Sequence, residues 1–145
     1  MVMASDADAE VIETGGFADF RDGEPWTPAE VDLYLRDRQT VRLGDIALTA
    51  HLTPGHTRGC TTWTTQVREE GRTYDLVLLC GFRMDEDSPL VDNPEYPLMA
   101  QDFAHSFAVA RTLPVDVFLG AHGYWFDLAG KIDRLQDDPE VNPFL

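Results

Sequence analysis

The chain has 145 residues, 43% of them hydrophobic and 26% charged, so it is long enough for one domain with a single core and too apolar for a disordered chain. Its 26 acidic residues against 11 basic ones leave a net charge of -15, which disfavours nucleic acid and anionic membranes, since both are bound by clustered Lys and Arg. No apolar run approaches the roughly 18 residues that a membrane span requires, and the opening MVMASDADAEV has neither the basic nor the apolar region of a signal peptide.

In chain order, VIETGG is a short apolar stretch closed by a turn, and FADFRDGEPW is loop-like. Thr27, Pro28 and Glu30 form a capping box with proline at the first helical position, which predicts a helix over Thr27–Arg36. TVRLGDIALTAHL alternates on both sides of Gly44-Asp45 and predicts a β-hairpin. TTWTTQV and TYDLVLLC predict a second hairpin about REEGR, with the run Leu76–Leu79 buried on both faces. The polar stretch from Gly81 to Tyr96 has the length of a functional loop.

PLMAQDFAHSFAVARTL is the clearest helix, with Leu98, Phe103, Phe107 and Ala110 on the inward stripe and Pro114 ending it. VDVFL follows as a strand, GAHG as a tight turn, and YWFDLAGKIDRLQ as a last helix with Phe126, Leu128, Ile132 and Leu135 inward. The expected class is mixed α/β with a β-α-β-α close. Scattered acidic residues read as a solvated surface. Cys60 and Cys80 make no CxxC pair. They are expected as buried free thiols, with one disulfide as the alternative, and the compartment stays open.

His56 and His122 share a context: each follows an apolar strand and is bracketed by small residues, in GHTRG and GAHG. Histidine on a strand-end loop suits ligation or catalysis, but metal binding and a hydrogen-bonded structural role both stay open on these residues alone. A zinc site needs three or four ligands, and two histidines do not close one. His51, five residues before His56, falls on the opposite pleat face and reads as a solvent-facing or satisfied strand residue; His105 reads as helix surface. Asp85, Glu86 and Asp87 read as a solvated loop, with ligation as the minority alternative.

The segments LTAHLTPGHTRGCTTW, VDNPEYPLMAQDFAHSFAVARTLPVDVFLGAH and YWFDLAGKIDRL resemble the metallo-β-lactamase superfamily, most of all its third, histidine-rich dizinc subclass. The resemblance runs from about Val2 to Phe144. It implies an α/β (α+β) fold, an αββα sandwich, in which a hydroxide held by two zinc ions attacks the β-lactam carbonyl. By position it implies that His56 is a ligand of the first zinc and His122 a ligand of the second. Gly55, Thr57 and Gly59 would shape the first loop, with Trp63 packed beneath it.

The family's other four ligands come from an HxHxDH motif, and this sequence has no H-x-H. The resemblance therefore implies that residues 1–145 are a single partial domain, the C-terminal half, lacking the HxHxDH-bearing half and ending before a last family helix. No catalytic residue is assigned to this half. The substrate-loop candidates are Gly81, Cys80 and Arg58. Gly81 stands where close relatives have a serine that touches the substrate carboxylate, and Cys80 resembles a thiolate ligand of other subclasses. Relatives are extended over Thr27–Arg36, which replaces the capping-box helix by at most one helical turn.

The function implied is that of a zinc-dependent hydrolase, of β-lactam amides in the intact parent, linked to antibiotic resistance. The chain alone would be inactive or weakly active, with zinc partial or absent. The alternative is a non-catalytic dimerisation or interaction module. The implied partners are a small β-lactam or related ester or amide, and either a second copy of the chain or the missing half. Periplasmic or secreted localisation would follow if the parent carries a signal peptide.

Overall fold

Two tight turns set the register of the main sheet in the computed structural model, which describes residues 1–21, 23–84 and 88–145. Gly44 has φ of 59° and opens a two-residue loop that pairs Leu43 with Ile46. Glu70 and Gly71, at 49° and 80°, both take the left-handed region that a type I′ turn requires, and they pair Glu69 with Arg72. Both expected hairpins are therefore present, as β3 (Thr40–Leu43) with β4 (Ile46–Leu52), and β5 (Thr61–Glu69) with β6 (Arg72–Leu79).

After β6 the chain crosses through α2 (Met99–Ala110) and returns as β7 (Val117–Gly120), parallel to β6. Parallel neighbours need such a crossover, which a hairpin turn cannot supply. The result is a five-stranded sheet in the order β3-β4-β5-β6-β7. A small parallel pair, β1 (Met3–Ser5) with β2 (Leu33–Leu35), flanks α1 (Asp6–Glu13). A 3-10 turn at Gly123–Phe126 leads into α3 (Leu128–Asp137), with Asp127 at φ of 54° breaking the path between them. The mixed α/β class is as expected.

Several expectations need correction. Thr27–Arg36 follows the extended path that the family resemblance implies, and only the capping-box helix is overturned: the Ala29 N–H donates to the Ile12 carbonyl and the Val31 N–H to Glu13 Oε1, while Leu33–Leu35 pairs with β1. Tertiary pairing overrides the local capping signal. The helix Asp6–Glu13 was not anticipated, although Asp6 and Asp8 in its first turn favour it through the helix dipole. In α2 the inward residues are Met99, Phe103 and Ser106, whereas Leu98 and Phe107 are about half exposed. In α3 no residue is buried, and Ile132 and Leu135 of its apolar stripe are exposed.

The Leu76–Leu79 run is not buried on both faces: Val77 is 5% exposed and Leu78 37%. Register puts Leu78 beside Trp63 and Leu119, on one face with Ala50, Leu76 and Val117. That face is apolar out to Leu43 and Ile46, which are 81% and 58% exposed. Among the described residues no second sheet layer lies over its β3–β4 end. One buried cluster lies elsewhere, where Tyr96, Met99 and Phe103 meet Phe20, Phe82 and Met84.

Candidate functional site

The segment between β4 and β5 is tied down at both ends before it displays a histidine. Thr53 is fully buried, its N–H donating to the Cys60 carbonyl at 2.8 Å and its hydroxyl bonded to that of Thr62 at 2.8 Å. Gly55 has φ of 140°, and a Cβ there would stand 2.8 Å from the Phe103 ring. Only glycine satisfies both the backbone angle and the contact. On the far side, Asp8 of α1 accepts from the Thr57 hydroxyl at 2.6 Å and the Gly59 N–H at 2.8 Å. Ser5 closes the anchor by donating to the Gly59 carbonyl at 2.9 Å.

His56 is half-buried on this clamped loop, its Nδ1 at 2.8 Å from the Arg83 carbonyl. A carbonyl only accepts, so Nδ1 is a protonated nitrogen and Nε2 is the ring atom left for a ligand. That is the arrangement by which proteins fix the tautomer of a metal-ligating imidazole. His122 follows β7 in an extended conformation and is exposed. Its ring stacks on Tyr124 at 5.3 Å and meets the edge of Trp125 at 4.9 Å.

Trp125 connects the two histidines. A Cβ on Gly81 would stand 3.3 Å from His56 Cδ2 and 3.4 Å from Trp125 Cη2, and one on Gly120 would stand 2.9 Å from Trp125 Cε3. The indole thus reaches from His122 to the glycine against which His56 lies. Both histidines sit at the end of the sheet where β4, β6 and β7 finish. Trp63, expected beneath the loop, lies in β5 between its register partners Ala50 and Leu78.

The cysteines are not free thiols. Cys60, just before β5, and Cys80, just after β6, form a disulfide with an S–S distance of 1.96 Å and Cα atoms 5.8 Å apart. Cys80 in this state has no thiolate to offer a metal, which removes the ligand reading. The spacing of 20 residues carries no pairing signal; the two residues meet because the β5–β6 register brings the strand ends together. Gly81 is buried and has no side chain for a substrate carboxylate.

Arg58 is exposed, its guanidinium 5.3 Å from the Phe20 ring centroid and 5.2 Å from that of Tyr96, and its Nη2 donates to the Glu95 carbonyl. Tyr96 donates to Asp102 Oδ2 at 2.6 Å, and burial together with that bond pushes its phenol far above the ordinary range, so it stays protonated. Asp8, Trp125 and the Arg83 carbonyl were not singled out from sequence. Asp8 looked like one more scattered acid, and nothing local marks a carbonyl that meets a ring 27 residues away.

His51 lies on the opposite face, nearly buried, with Nε2 at 2.9 Å from the Thr64 hydroxyl, and His105 is on the surface of α2. Asp85, Glu86 and Asp87 fall outside the described residues. Burial lowers the His51 pKa below its ordinary 6.5, with Asp37 opposing and Arg38 assisting. Below about pH 6.5 the unfolded chain therefore binds this proton more readily than the fold does, and the stability from neutral His51 is lost as pH falls. Urea unfolding is expected to show a shallower loss between pH 7 and pH 5 for His51→Gln than for the parent. Identical slopes would discount the burial.

Among the described residues no three or more His, Cys, Asp and Glu side chains gather around a cation site. His56 and His122 alone do not fill a zinc shell, so these residues do not by themselves fit a two-ion centre.

Comparison with known proteins matches this geometry. Native FEZ-1 metallo-β-lactamase from Legionella gormanii is 42% identical, with a TM-score of 0.93 over 98% of this chain and 55% of its own. The class B3 di-zinc metallo-β-lactamase LRA-12 from an Alaskan soil metagenome is 27% identical, with a TM-score of 0.78 over 89% of this chain and 50% of its own. Human mitochondrial persulfide dioxygenase ETHE1 is 36% identical over 53 residues, 37% of this chain and 21% of that protein. No family model matches the sequence. The chain spans about half the length of these two solved structures. By fold and by sequence, the chain belongs to the metallo-β-lactamase superfamily.

Proposed function

We propose that residues 1–145 are a partial domain that contributes His56 and His122 to the metal centre of a zinc-dependent hydrolase, and that the complete protein hydrolyses β-lactam amides. The observation that carries this reading is the His56 Nδ1 contact with the Arg83 carbonyl, which leaves Nε2 as a prepared ligand atom. The likeness to FEZ-1 and LRA-12 supports the reaction class. The remaining ligands come from outside these two loops, from a second polypeptide or further chain. The Cys60–Cys80 disulfide favours an oxidising compartment for the protein.

Zinc binding by equilibrium dialysis, followed by a chromogenic cephalosporin assay, tests the proposal. Weak zinc binding that is lost in the His56→Ala, His122→Ala double variant is expected, without turnover by the chain alone. Zinc retained in the double variant would overturn the ligand assignment, and turnover by the chain alone would overturn the partial-site reading.

A second reading, a dimerisation module, is favoured by the apolar sheet face on which Leu43, Ile46, Val67 and Leu78 are exposed. Surfaces of that kind mark interfaces. A solution mass of two chains is expected at high protein concentration. A single-chain mass under the same conditions counts against it.

A further inference from the structure

A cavity of about 200 Å³ lies beside the His56 loop, between the α1 face of Ala7, Val11 and Ile12, the Phe20 and Trp26 side chains, and Arg58. Its chemistry is divided. One wall is aliphatic, and the Trp26 indole, 49% exposed, lies against Gly16, where a Cβ would stand 2.6 Å from the ring. The glycine therefore permits the ring to lie flat on the backbone, where a second planar group can meet it.

At the other side stand two carboxylates and two guanidiniums, those of Asp8, Asp19, Arg21 and Arg58. Arg58 has no carboxylate within ion-pair distance among the described residues, in a chain with 26 acidic side chains. The carboxylates near it are already engaged: Asp8 holds Thr57 and Gly59, and Asp19 holds Arg21 through two hydrogen bonds at 3.1 and 2.8 Å. The Arg58 guanidinium is steadied by the Phe20 and Tyr96 rings and by the Glu95 carbonyl, which uses one of its five N–H donors. A guanidinium so placed presents its remaining donors in a fixed fork, the geometry that a carboxylate accepts.

We propose that this cavity binds small aromatic carboxylates, with Arg58 taking the carboxylate and Trp26 with the Val11–Ile12 surface taking the ring. The volume falls below the roughly 300–1,000 Å³ of pockets for drug-sized ligands, which limits the ligand to a single ring or one substituent of a larger acid. The inference needs no metal and stands apart from the hydrolase reading. Thr57 and Arg58, which line the cavity, directly follow His56, so an acid bound here lies next to the histidine loop.

The experiment is an NMR titration of the whole chain at low ionic strength with benzoate and with its neutral isostere benzamide. Benzoate is expected to shift the Trp26 indole signal, with benzamide at least about tenfold weaker, as the loss of a charge-assisted pair implies. Arg58→Gln is expected to bring benzoate down to the benzamide affinity while leaving benzamide unchanged. Val11→Trp, which fills the cavity and keeps Arg58, is expected to abolish both. Equal affinity of the parent for the two ligands, or no binding of benzoate, overturns the proposal. So does benzoate binding unchanged in either variant. The parent comparison decides the matter even where Arg58→Gln fails to fold.

Discussion

A Gly59→Ala variant is expected to lose about 3 kcal/mol or more of stability. The added Cβ would stand 1.9 Å from Ser5 Oγ, 2.6 Å from Asp8 Cγ and 2.7 Å from the Asp8 backbone nitrogen. A serine side chain can rotate away, but a backbone nitrogen in the first turn of a helix cannot. Relief therefore requires α1 to move off the loop. That movement breaks the bonds from Ser5 to Gly59 and from Thr57 and Gly59 to Asp8, and so releases the segment that holds His56.

Gly23→Ala supplies the control, because a Cβ there meets nothing within 4 Å and its φ lies outside the strained range. Its effect is expected within about 0.5 kcal/mol. Urea unfolding of the two variants side by side checks the contrast. Equal midpoints would mean that α1 does not grip the loop as described.

Removal of the Cys60–Cys80 disulfide comes next in size. The bond closes a loop of 20 residues, for which the chain-entropy model gives about 3 kcal/mol of stabilisation, or roughly 10 °C in Tm for a chain of this length. A Cys60→Ala, Cys80→Ala variant is expected to lose that amount, and dithiothreitol is expected to produce the same shift in the parent and none in the variant. A parent insensitive to reductant would show that the bridge is not formed in solution. The consequence reaches the candidate site, since Cys80 precedes Gly81 and Gly81 lies against the His56 ring. Loss of the bridge loosens the end of β6, where the two histidine loops converge.

Much of the architecture was legible in the residues because its signals are local. Gly44-Asp45 and Glu70-Gly71 stand where the apolar alternation breaks, and Gly44, Glu70 and Gly71 take positive φ there, so both hairpins follow from turn chemistry and alternation. The α2 helix and the β7 strand follow from period and from the proline between them. His56 and His122 stood out for the same reason: each is a titratable ring among small residues at a strand end.

What the residues could not reveal depends on partners distant along the chain. The capping box at Thr27–Glu30 is a sound local signal, but Ala29 and Val31 give their N–H groups to α1 and Leu33–Leu35 joins β1, and pairing outweighs propensity. The Leu76–Leu79 run looked like a central strand buried on both faces, yet Leu78 faces outward because burial depends on what lies above a strand. The disulfide, the grip of Asp8 on the His56 loop, the carbonyl that fixes the His56 tautomer and the Arg58 cavity all join residues 20 to 51 positions apart. Sequence by itself determined which side chains could do chemistry and where the chain could turn, because rotamers, φ limits and alternation act within a few residues. Only the tertiary structure decided which of those side chains meet, because hydrogen bonds and packing reach only a few ångströms, and folding alone brings distant residues within that range.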